Sequence, residues 1–123
     1  MDQVLAYLAA AIVLMWGVSH IIPTRNVVAG FGEIGEDNRH IITMEWVAEG
    51  LSFVFVAVLI AAFTASAVEA AASALAYRVS AGFLVVVGIW TAMTGARTGV
   101  IWFKMCPVVM SVSATLLVVA SLI

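Results

Sequence analysis

Ile41-Ile-Thr-Met-Glu-Trp-Val-Ala-Glu-Gly-Leu-Ser-Phe-Val-Phe-Val-Ala-Val-Leu-Ile60 runs apolar for the width of a bilayer, yet it carries two carboxyl groups near its start. Glu45 and Glu49 are four residues apart, a spacing that stacks them on one face of a helix. An ionised side chain at the centre of a bilayer costs about 2.5 to 3.5 kcal/mol. Two of them one turn apart therefore require partners, protonation, water or a position near the interface.

The rest of the chain agrees with a membrane setting. Its 123 residues are 65% hydrophobic and 10% charged, with a mean hydropathy of +1.20, outside the range of soluble globular domains. Four apolar runs of spanning length use nearly all of it, so one domain is expected, with little chain outside the membrane. A formal net charge of −2 and the lack of a basic run set aside nucleic-acid binding. Cys106 is the only cysteine, which excludes an internal disulfide or a dithiol redox pair within one chain. Met1-Asp-Gln3 lacks the basic start of a secretory signal, and the first apolar run is expected to be a retained helix.

The expected fold is all-α: an integral membrane, antiparallel four-helix bundle with a polar cap loop between helices 1 and 2. The helices are placed at about 3–22, 38–64, 75–96 and 100–123 by their apolar runs. Helix 1 should stop before Pro23. The segment 24–38 is polar, and Gly30, Gly32 and Gly35 interrupt it, which suits a cap at the interface. Antiparallel threading brings Trp16, Trp46, Trp90 and Trp102 to one membrane face and Tyr7 and Tyr77 to the other, as interfacial anchors would be. Arg25, Arg39, Arg97 and Lys104 fall on the tryptophan side against Arg78 opposite. The positive-inside rule then makes the polar face cytoplasmic and puts both termini outside.

His20, Glu45 and Glu49 reach that same face and form the expected catalytic group. Two carboxyls in unlike surroundings, one protonated and one ionised, make a general acid and base, with His20 as a third proton carrier. A structural ion pair with Arg97 or Lys104 is the competing expectation for the same carboxyls. Trp16, Trp46, Trp90, Arg97, Asp37 and Asn38 are the expected substrate-binding residues: rings for an apolar body, a guanidinium for an anionic group, and cap residues from above. Cys106 is expected to pack as a small apolar residue. No His-Glu-x-x-His or Glu-x-x-His spacing occurs, and neither a metal nor another cofactor is expected.

Gly30-Phe-Gly-Glu-Ile-Gly-Glu-Asp-Asn-Arg-His-Ile-Ile-Thr-Met-Glu-Trp-Val-Ala-Glu-Gly50, with His20-Ile-Ile-Pro23 before it and Lys104-Met-Cys-Pro107 after it, resembles a group of small four-helix bacterial membrane proteins loosely similar to the DoxX-like family. The resemblance spans nearly the whole chain. It implies the four-helix bundle, in a bacterial inner membrane, and no particular reaction.

The expected function is an intramembrane acid-base enzyme acting on a lipophilic small molecule, as an isomerase, cyclase or epoxide-opening hydrolase. Its partners would be that molecule and membrane lipid, with no nucleic acid. A proton-coupled carrier or channel, working as a homo-oligomer, is the first alternative. A non-catalytic subunit of a larger membrane complex is the second, with Ser111, Ser113, Ala114 and Thr115 as a stripe for close packing on another helix.

Overall fold

A computed structural model describes all residues, 1–123, and it is helical throughout. Four long helices, α1 (Asp2–Ile21), α3 (Glu36–Ala65), α4 (Ala70–Met93) and α5 (Ile101–Ala120), are joined by a short helix α2 (Thr24–Ala29) and a 3₁₀ turn at Gly95–Arg97. The four long ones, α4 together with its 3₁₀ turn, are long and apolar enough to cross a membrane. At 1.5 Å per residue, α1 and α5 are about 30 Å long, a hydrocarbon core's thickness, whereas α3 reaches about 45 Å and exceeds it.

Two boundaries differ from expectation. α4 begins at Ala70 rather than near 75, because the alanines from Ala70 onward favour helix strongly enough to shorten the link to four residues, with Glu69 at the N-cap position. The segment expected as a cap loop folds in its first part as α2, started by Pro23, before Gly32 turns the chain at φ 74°. Pro107 lies inside α5, near its first turns, so the Phe103 carbonyl lacks the amide partner a regular helix would supply.

Each long helix buries one stripe at steps of three and four: Ala6, Ala9, Ala10, Val13 and Gly17 on α1; Gly50, Phe53, Ala57, Ile60 and Thr64 on α3; Tyr77, Ala81, Leu84 and Gly88 on α4; Cys106, Met110, Ser113 and Leu117 on α5. The other faces are also apolar and lie exposed, with Val4, Phe55, Val79, Val86 and Val108 among them. A helix apolar all round suits lipid outside and protein inside. Of the small residues on α5, Ser113 and Ala114 are buried within the protein. Ser111 and Thr115 face outward, their hydroxyls donating to the carbonyls of Pro107 and Ser111.

α1 packs on α3 and α5, α5 packs on α4, and α3 meets α4 more sparsely. Two contacts close the α3–α4 seam at one end. The buried hydroxyls of Thr64 and Tyr77 lie 2.8 Å apart, and Ser73 Oγ donates to the Phe63 carbonyl at 3.4 Å. At the other end the seam is open. Across the assembly, α1 and α3 approach backbone to backbone at Gly17 and Gly50. A Cβ on Gly17 would lie 2.8 Å from the Gly50 carbonyl oxygen and 3.0 Å from the Val54 nitrogen; one on Gly50 would lie 3.1 Å from the Gly17 carbonyl oxygen. Small residues at a crossing let two helices pack closely where lipid supplies no hydrophobic drive.

Gly17→Leu is therefore expected to force α1 away from α3 and to lower stability by about 1 to 3 kcal/mol, the usual cost of overpacking. Unfolding of the purified protein in mixed micelles measures it; a variant as stable as the parent would show that the crossing is not tight.

Candidate functional site

The close crossing decides where the end of α1 lies. Carbonyls in the last turn of a helix have no amide partner of their own, and the His20 carbonyl takes one from α3: Trp46 Nε1 donates to it at 2.6 Å. The Trp46 indole thereby lies flat against the His20 ring, with centroids 4.6 Å apart and planes 19° apart. Phe53 meets the same imidazole edge-on at 5.5 Å, and Trp16 lies tilted at 5.8 Å. His20 is only 7% exposed.

Boxed in this way, the imidazole has a defined direction. Nδ1 lies 3.4 Å from the Trp16 carbonyl oxygen. A carbonyl only accepts, so Nδ1 carries the hydrogen in that contact and a neutral ring presents its Nε2 lone pair on the other side. Nε2 lies 3.8 Å from Glu49 Oε2, beyond hydrogen-bond distance. The Glu49 side chain is 34% exposed and reaches open space.

That space is a cavity of about 760 Å³ between α3 and α4, with His20, Glu49 and Cys106 on its wall. Trp46, Ser52, Val86, Val87, Thr91, Thr94 and Phe103 supply more of the lining, and Phe31 reaches it from the segment after α2. Glu45 and Trp90 stand at exposed positions on the same wall. A second cavity of about 410 Å³ lies across the His20–Trp46 stack, lined by Trp16, Ser19, Pro23, Val27, Trp102 and Phe103. The stack and Phe103 belong to both walls.

The structure thus brings together His20, Glu45, Glu49, Trp46 and Trp90 on one wall and puts Trp16 beside them, half-buried, on the other. Arg97, Asp37 and Asn38 are exposed and line neither cavity. Neither Arg97 nor Lys104 comes within 4.0 Å of a carboxyl group; the contacts within that range are His20 with Glu49 and the amino terminus with Asp2. Cys106 is buried, as a packing residue would be, but its thiol also faces the cavity, beside the Thr91 and Trp16 side chains. Gly17 and Gly50 are the residues whose part was missed. The signal was present, since each is a glycine on an apolar helix at the depth of the histidine or the carboxyl.

No protein-family model, curated protein or solved structure matches the chain.

Trp46→Phe keeps a ring but loses the hydrogen bond to the His20 carbonyl, with an expected loss of about 0.5 to 1.5 kcal/mol. In nitrogen-labelled protein the His20 ring resonances should broaden or split as the imidazole gains freedom. Unchanged stability together with unchanged His20 resonances would refute the clamp.

Proposed function

We propose that the chain is an integral membrane protein of a bacterial inner membrane, an antiparallel four-helix bundle whose His20–Glu49 pair performs acid-base chemistry on a lipophilic molecule. The observation that carries this is the pair's position: a carboxyl and an imidazole, 3.8 Å apart, at the edge of a roomy and mostly apolar cavity. A pocket with a greasy lining and few polar groups is the usual form of a small-molecule site. The seam between α3 and α4 would admit such a molecule sideways from the bilayer. The count of Arg25, Arg39, Arg97 and Lys104 against Arg78 supports a cytoplasmic site face.

In the reaction so envisaged, Glu49 in its acid form donates a proton to the substrate, to an epoxide oxygen or an alkene carbon. In an epoxide an oxygen lone pair takes the proton and the C–O bond breaks with its electron pair going to that oxygen, whereas in an alkene the π pair forms the new C–H bond; either leaves a positive centre on carbon. A neighbouring C–H then gives its proton back to the pair, and its electrons form the new alkene. The pair ends in its starting state, so isomerisation or cyclisation needs no second reactant; capture of an epoxide-derived cation by water, which then gives its extra proton to the pair, would instead be hydrolysis. His20 Nε2 takes the returned proton and passes it to Glu49, restoring the acid form. Glu45, at the rim, is placed to stabilise the positive centre.

Chemistry is favoured over passage by what lies beneath the cavity. Phe53, Ile60, Leu84, Met110 and Leu117 are all fully buried and fill the protein from there toward the Thr64–Tyr77 end. A carrier would have to part this core on each cycle.

Wild-type protein, Glu49→Gln and His20→Gln are each to be incubated in nanodiscs with a lipid extract of the expressing membranes, and products compared by mass and chromatography. Wild type is expected to convert one apolar component to an isomer or hydrate, and each variant to lose about 10² to 10⁴ of that rate, the usual worth of a general acid or base. Full turnover by both variants would remove the pair from the mechanism.

A further inference from the structure

The wall of the larger cavity offers acceptors far more than donors. None of the five cationic side chains lines it; its ionisable groups are His20, Glu45, Glu49 and Cys106. Four hydroxyl residues line it as well, and each turns its hydrogen back to its own helix or turn. Ser52 donates to the Ala48 carbonyl at 2.8 Å, Thr91 to Val87 at 3.0 Å, Thr94 to Trp90 at 2.7 Å and Thr98 to Gly95 at 2.8 Å. What such a hydroxyl can still offer a guest is oxygen lone pairs. Trp46 likewise gives its only side-chain N–H to the His20 carbonyl; one face of its indole is covered by the His20 ring and Phe103 meets it at 5.6 Å, and the rest of the ring surface lines the cavity.

Three kinds of group thus favour one ligand charge: two carboxyls without a cation from the chain other than His20, hydroxyl oxygens whose hydrogens are engaged, and the rings of Trp46 and Trp90. Aromatic faces attract cations, and most strongly where water is excluded. A carboxylate or phosphate here would meet like charge and few donors, the Trp90 indole N–H and the Cys106 thiol among them, and an unfavourable pairing of that kind disfavours a ligand.

We propose that the cavity selects lipophilic cations and amines, the positive group held between Glu45, Glu49 and the faces of Trp46 and Trp90 and the apolar body lying along the α3–α4 seam. This rests on the cavity being a site for a lipophile, as argued above. It narrows the substrate class to molecules that carry, or develop during reaction, a positive charge. Amine analogues of the substrate would then be inhibitors, since the same groups stabilise the cationic centre formed after protonation.

Tetraphenylphosphonium and tetraphenylborate, nearly equal in shape and opposite in charge, test it alongside neutral triphenylmethane. Each is measured by equilibrium dialysis against the protein in phosphatidylcholine nanodiscs, with empty nanodiscs subtracted. The cation is expected to bind saturably and about tenfold or more tighter than the anion. Glu45→Gln, a change at an exposed position that leaves the core untouched, should reduce this preference, and the double change with Glu49→Gln should abolish it while triphenylmethane binding persists. An anion bound as tightly as the cation, or a preference that survives the double change, overturns the charge selectivity but leaves the lipophile site standing. Saturable binding of none of the three overturns both.

Discussion

Everything at the site depends on how closely α1 can approach α3. Gly17 and Gly50 place backbone against backbone there, and a single methyl on either would intrude on the facing helix. With the helices this near, the end of α1 falls within reach of the Trp46 indole, and the indole hydrogen bond fixes the His20 ring beneath it. Glu49 precedes Gly50 in α3, so the residue that allows the approach is next to the one that uses it. The close approach and the His20–Glu49 pair are thus set by one short stretch of α3.

A second constraint shapes the cavity. α3 and α4 are joined by only four residues and tied by Thr64 and Tyr77 at that end, yet α3 is held by α1 and α4 by α5. Each helix follows its own partner, and the pair is separated toward the other end by the cavity. Tryptophans, carboxyls and hydroxyls collect there, while the closed end is filled by large apolar side chains. The long helices are apolar on their outer faces as well, a surface that suits acyl chains.

Hydropathy made the helices readable, because twenty apolar residues in a row have few other uses. The acidic pair of α3 was readable for a related reason, as the cost of a charge in lipid singles it out. Helix edges were less so: the start of α4 depended on alanine propensity across Ala70–Ala74, where composition resembles a turn. Arg97, Asp37 and Asn38 were drawn toward the site by depth alone. Depth does not say which way a side chain points around a helix or how far a cap extends, and all three lie outside the cavities. The two carboxyls also differ in a way that spacing cannot show, since only Glu49 faces the imidazole across the α1–α3 crossing.

A distance between His20 and Glu49 in a bilayer tests the account most directly. Solid-state NMR on protein labelled with nitrogen-15 at the His20 ring and carbon-13 at the Glu49 carboxyl reads the dipolar coupling between them. The structure places Nε2 and Oε2 3.8 Å apart, so strong dephasing of the carboxyl signal is predicted, selective for Nε2 over Nδ1. A carboxyl signal with no measurable coupling to either ring nitrogen would contradict the assembly of the pair, and the proposed chemistry with it.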